Sequence, residues 1–103
     1  MEEAQKLIND HSAMVLYFTH EECNVCKVLK PKIRALLQES FPKIHFHEID
    51  TVKNPGIAAW FSVFAVPTLL VFFDKSEFFR FSRHVNIKEF TESLTRPYQL
   101  FFE

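Results

Sequence analysis

The chain has 103 residues, is 48% hydrophobic and 16% aromatic with thirteen Phe, and carries a formal net charge of −1. That length suits one domain over residues 1–103 around a single core, and the apolar content excludes disorder. Acids and bases are interspersed, so no basic stripe points to nucleic acid, and no apolar stretch reaches the roughly 20 residues of a membrane span.

Glu2 to Asn9 reads as a first helix with Leu7 and Ile8 facing inward. The start of the chain, Met1 to Lys6, lacks the basic and apolar regions of a secretory signal. Two cysteines are too few for a secreted disulfide scaffold, so a reducing, cytoplasmic setting is expected. Ala13 to Phe18 is a continuous apolar run, the mark of a strand buried on both faces. From Val25 the apolar positions 25, 28, 29, 33, 36 and 37 form a helical stripe, which Pro31 should kink without ending. Phe41-Pro42-Lys43 breaks the chain before a second strand, Ile44 to Asp50. Asn54 reads as a cap with Pro55 at the first helical position, opening a helix to about Phe61.

Thr68 to Phe73 is a third strand, again apolar throughout. Asp74-Lys75-Ser76 is a turn, and Glu77 to Ser82 returns antiparallel. Asn86 caps a last helix to about Leu94, leaving residues 97–103 as an unusually apolar tail. With Gly56 the only glycine, left-handed turns fall to other residue types or are avoided. The order α-β-α-β-α-β-β-α predicts a three-layer α/β/α sandwich around a mixed four-stranded sheet.

The two cysteines are Cys23 and Cys26, separated by Asn24 and Val25, at a junction between strand and helix. Alone, a CxxC is equally half of a zinc site. At a helix N-terminus, however, residues i and i+3 share a face, within reach of a disulfide. The free N–H groups and the helix dipole there favour an anion and lower the first thiol's pKa. His20 extends the motif to His-x-x-Cys-x-x-Cys, but no second CxxC or paired His completes a zinc set nearby, so no metal is assigned.

The dithiol, Pro31 eight residues after Cys23, Asn54-Pro55-Gly56, and Val66-Pro67-Thr68 before an apolar strand together resemble the thioredoxin family along nearly the whole chain. The resemblance implies that Pro67 is cis and lies against the dithiol. It implies that Cys23 is the nucleophile and Cys26 the resolving thiol in thiol–disulfide exchange with protein substrates. It further implies that Val66 pairs with an extended stretch of substrate. Asn24, Val25 and Arg83 join Val66 and Pro67 as substrate-facing positions. No bound cofactor is implied; electrons would come from a thioredoxin-reductase-type partner or a small-thiol pool.

The departures from the family pattern matter as much. Glu22 replaces the Trp before the dithiol, and Asn24-Val25 replaces Gly-Pro. Glu22 and Glu21 push the Cys23 thiol up, whereas Lys27 and the helix terminus pull it down. Tyr17 stands where the family has a buried Asp, and Phe46 where it has the Lys partner, so neither charge is left unpaired. A phenol is a poor base at neutral pH, which weakens the proton route to Cys26. Arg83 stands at a close-approach Gly of the substrate groove, where a long cation narrows the groove or recruits acidic targets. The competing reading is therefore a binding or adaptor module, or a redox sensor, without general reductase activity.

His45 and His47 are expected on the solvent side of an edge strand, with Glu48 opposite as a partly exposed charge or a distant replacement base. Trp60 and Phe64, with Leu100, Phe101 and Phe102 of the tail, are either contact surface, including a homodimer contact, or part of a Phe-rich core.

Overall fold

The computed structural model describes residues 2–102. Helix α1 spans Glu2–Asp10, strand β1 Ala13–Thr19, α2 Asn24–Ser40, β2 His45–Asp50, α3 Pro55–Trp60, β3 Thr68–Phe73, β4 Ser76–Ser82 and α4 Ile87–Phe102. The strands form one mixed sheet in the order β2-β1-β3-β4. β1 pairs parallel with β2 and antiparallel with β3, and β3 pairs antiparallel with β4. The two uninterrupted apolar runs, β1 and β3, take the centre, where every residue of both is buried. A strand covered on both faces has no solvent side on which to alternate polar residues.

Successive side chains of β1 point to opposite faces and divide the core in two. Val15 and Tyr17, with Leu69 and Val71, pack on Cys26, Leu29, Ile33 and Leu37 of α2 and on Phe90, Leu94 and Tyr98 of α4. Met14, Leu16 and Phe18, with Leu70 and Phe72, pack on Ile8 of α1 and Ala58 of α3. Three layers result, with the longer helices on one face.

The apolar tail is not a tail. α4 continues through Pro97 to Phe102. An internal proline removes one helical hydrogen bond and costs about 3 kcal/mol. Here the helix is carried by packing at helical spacing: Phe90, Leu94 and Tyr98 are buried. Tyr98 meets Phe41 edge-on at 5.2 Å, its hydroxyl accepts from the Lys43 N–H, and Phe101 stacks on Phe73 at 5.4 Å. The tail aromatics thus cover one end of the sheet, while Leu100 remains exposed.

Asn54 is a second correction. It occupies the N-cap position of α3, but its side chain makes no cap hydrogen bond. Its amide donates to the Asp50 carbonyl instead, and the Asp50 carboxylate accepts from the Val52 and Lys53 N–H groups. Asn86 caps α4 as expected, accepting from Glu89 N–H at 3.1 Å.

With glycine scarce, four other residues among those described adopt positive φ: Ser62 (56°), Asp74 (48°), Lys75 (70°) and Arg83 (64°). Asp74 and Lys75 form the two-residue β3–β4 hairpin loop, where both central residues turn left-handed to match the strand twist. Next to it Phe78 is the extra residue of a bulge, between the Val71–Phe79 and Phe72–Glu77 pairs.

Candidate active site

At the end of β1 the chain makes a tight turn, with Cys23 N–H donating to His20 C=O at 3.2 Å. Cys23 is the N-cap of α2: its backbone is extended, and its Sγ accepts from Cys26 N–H at 3.2 Å. Sulfur thereby takes the place a Ser or Asp oxygen usually holds at a helix start. The two cysteines are joined as a disulfide with Cα atoms 5.3 Å apart. Cys23 is half-buried, whereas Cys26 is 1% exposed, so only one sulfur is within reach of a partner.

The stripe that orients this helix is narrower than the apolar pattern suggests. Cys26, Leu29, Ile33 and Leu37 face the sheet. Val25 and Val28 are 60% and 61% exposed and flank a shallow groove with Asn24, Val85 and Ile87. They lie about one residue outside the face that a 3.6-residue period turns inward.

Beneath the dithiol lies Tyr17, fully buried, whose hydroxyl donates to the Cys26 carbonyl at 2.7 Å. Burial, with a smaller contribution from the Glu48 carboxylate, pushes this phenol up to about 12. Tyr17 is therefore a neutral donor at physiological pH and acts on the backbone of Cys26, not on its sulfur. Phe46 packs beside it with ring centroids 5.6 Å apart. Glu48, next along the edge strand, pairs with Lys30 at 2.9 Å and keeps its side chain 39% exposed. It lines an open groove of about 730 Å³ together with His20, Cys26, Lys27 and Asp50.

The other wall is the segment before β3. The Val66–Pro67 peptide is cis. Pro67 is buried, and Val66 is half-buried against both core clusters, the first of which Cys23 also touches. The Pro67 carbonyl accepts from Arg83 N–H at 2.7 Å. Arg83 has positive φ and is the centre of a three-residue γ-turn closed by His84 N–H on Ser82 C=O at 2.7 Å. That turn is one of the least comfortable for a non-glycine residue. The Arg83 side chain is exposed beside this segment. Phe64, 86% exposed, borders a smaller groove with His20, Val63 and Val66, and Trp60 is 62% exposed.

Two supporting residues have no sequence signal. Arg80 donates to the Phe61 and Ser62 carbonyls at 2.8 and 3.0 Å while held bidentately by Glu77, so β4 clamps the turn after α3. Lys53 pairs with Glu21 at 3.1 Å and ties the turn before Cys23 to the turn after β2. Both contacts cross between elements far apart in the chain, where local pattern carries no information. Among the described residues no three His, Cys, Asp or Glu side chains gather as a metal set.

The family model described as Thioredoxin matches residues 2–96. The thioredoxin-like protein YdfQ of Bacillus subtilis (strain 168) is 34% identical over 97 residues, which cover 94% of this chain and 86% of that protein. A thioredoxin of Buchnera aphidicola subsp. Schizaphis graminum is 38% identical over 69 residues, 66% of this chain and 64% of its own length. The X-ray structure of Fasciola hepatica thioredoxin superposes with a TM-score of 0.82 at 34% identity, covering 92% of this chain and 91% of that one.

Proposed function

Because the chain belongs to the thioredoxin family, whose membership supports thiol–disulfide oxidoreductase activity, we propose that it reduces protein disulfides through Cys23 and Cys26. The observation that carries this reading is the disulfide joining a reachable helix N-cap to a buried residue one turn on. In the reduced protein the Cys23 thiolate attacks one sulfur of a target disulfide. A Cys23–target bond forms and the target's other sulfur leaves as a thiolate. Cys26, deprotonated, then attacks Cys23 Sγ. The mixed disulfide breaks, the target departs with both sulfurs reduced, and the Cys23–Cys26 bond is restored. Two electrons and two protons from a thioredoxin-reductase-type partner or a small thiol return the dithiol.

The helix N-terminus favours the Cys23 thiolate through its unpaired N–H groups. Val66 offers its backbone to an extended target segment, and Asn24, Val25, Pro67 and Arg83 line that path. Trp60 and Phe64 are read as contact surface for targets or for a second copy of the chain. We place the protein in the cytoplasm, the setting in which two cysteines form a working dithiol and not a disulfide scaffold, as one domain working without a bound cofactor. Among the described residues no helix is long and apolar enough to cross a membrane.

One observation favours a second reading. A neutral Tyr17 under Cys26 supplies no base for the resolving step. A dithiol that cycles slowly would suit a redox sensor or adaptor. The deciding measurement is the Cys23–Cys26 reduction potential together with turnover of a protein disulfide in the presence of a reductase. Turnover supports the reductase. A dithiol that cycles with a defined potential and turns over no protein disulfide supports the sensor and overturns the proposal.

A further inference from the structure

On the outer edge of the sheet, away from the sulfur pair, a groove of about 480 Å³ runs along the start of β2. Its polar lining is His11, Arg34, Gln38, Lys43 and His45, and among the described residues no carboxylate lines it. In a chain of net charge −1 this is a local concentration of cations and donors. The volume lies within the usual range for small-molecule sites.

The way these groups are held leaves their donors available. The Arg34 guanidinium lies over the face of Phe46 at 5.3 Å, and the Lys43 ammonium over Phe102 at 5.6 Å. A ring face attracts a cation without neutralising its charge. Among the described residues the ion pairs use Lys30, Lys53 and Arg80 only, so neither Arg34 nor Lys43 is spent on a carboxylate. In the same groove His11 and His45 stack with centroids 4.0 Å apart and planes 13° from parallel. His11 donates its Nδ1–H to the Leu7 carbonyl at 2.8 Å, which leaves Nε2 as its free ring atom. Burial and the neighbouring His11 and His47 rings hold His45 below its usual proton affinity.

We propose that this edge groove is a binding site for a small, soluble, multiply charged phosphate-type anion. Arg34 and Lys43 would supply the cationic donors, with the stacked His11 and His45 rings lining the same groove. The donors come from α2, the loop into β2 and the α1–β1 turn, and two linked phosphates present several oxygens for charge-assisted hydrogen bonds to such a set. The alternative role for such residues is to guard an edge strand against pairing with another sheet, which calls for charge but not for a saturable site.

The test is an NMR titration of the full chain with inorganic pyrophosphate at fixed pH and ionic strength, following the His11 and His45 ring protons. The expected result is a saturable shift. Arg34→Glu and Lys43→Glu, whose positions are exposed, should each weaken the affinity about tenfold or more while Lys88→Glu, the same charge change on α4, leaves it unaltered. Shifts that stay linear, that chloride reproduces, or that Lys88→Glu weakens equally would overturn the proposal. So would sedimentation with phosphatidic acid vesicles in the absence of any response to pyrophosphate, because a charged surface and not a site would then be acting.

Discussion

The two layers that enclose the sheet are unequal, and each supports a different half of the candidate active site. On one face α2 and α4, of 17 and 16 residues, bury a deep aromatic core, and the sulfur pair stands at the end of that layer. On the other face α1 and α3 have only 9 and 6 residues, and the chain leaves α3 through left-handed Ser62 on its way to Val66-Pro67. That segment is held by hydrogen bonds reaching across from β4 and the turn after it, from Arg80 to Phe61 and Ser62 and from Arg83 to Pro67. The helix that carries the sulfur pair is thus fixed mainly by burial, and the turn leading to Val66-Pro67 is clamped by hydrogen bonds from β4. Burial of a large side chain stabilises by several kcal/mol, a net hydrogen bond by about one. The sulfur end should be the rigid partner and the platform the adaptable one.

The largest effect that sharpens this contrast is at the sulfurs themselves. Cys23→Ser should drop disulfide exchange to background, and Cys26→Ser should accumulate mixed disulfides with target, seen on non-reducing gels. Trapping by neither variant would remove the chemistry from this end of the molecule.

Next comes a matched pair of core truncations. Ile33 on the thick face is 0% exposed and Ile8 on the thin face 3%. Ile33→Ala should cost about 4 kcal/mol and Ile8→Ala about 2, because the short terminal helix can relax around its cavity. Urea unfolding measures both, and equal losses would break the comparison.

Tyr17→Phe should cost about 1 kcal/mol near neutral pH, since the Cys26 carbonyl loses a buried donor. It should also change the alkaline limb of stability. The folded phenol titrates near 12 against 10.0 when unfolded. The unfolded state therefore releases its proton first, and the contribution, complete below pH 10, is lost as pH rises towards 12. Denaturation midpoints followed from pH 9 to 12 should fall less in the Phe variant.

Arg80→Ala should cost under about 1 kcal/mol, yet raise KM for a protein disulfide more than it slows exchange with a small one. An equal effect on both would mean that the platform is not softened. Smallest of all, Lys30→Ala should change stability by about 0–1 kcal/mol and less at high salt, because its pair with Glu48 is open to solvent.

How much of this could be read in the chain follows the same division. The central strands, the dithiol at a helix start and the proline before β3 were legible because each is local: an apolar run, a spacing of three, a tripeptide. The expected loss of the buried acid and its partner was legible too, and Tyr17 and Phe46 do pack together. What escaped depended on contacts between distant segments. The Tyr17 hydroxyl finds a backbone carbonyl nine residues on, Arg80 reaches back across eighteen and nineteen, and α4 survives Pro97 because Phe41 and Phe73 wait for its last turns. Val25 and Val28 misled for another reason: apolar identity fixes the period of a helix better than it fixes the width of its buried face.

The shortage of glycine leaves mutational headroom at the turns. A left-handed conformation costs an ordinary L-residue about 1–2 kcal/mol that glycine avoids. Selection for thermal resistance should therefore find gains at Ser62 and Lys75 without touching core or sulfur, and Asp74 followed by glycine would be the preferred hairpin dipeptide. Arg83 is a different case. Glycine there would relax the γ-turn and remove the long side chain beside Pro67 in one step, so a single substitution would change the stability of the turn and the shape of the surface next to the dithiol together.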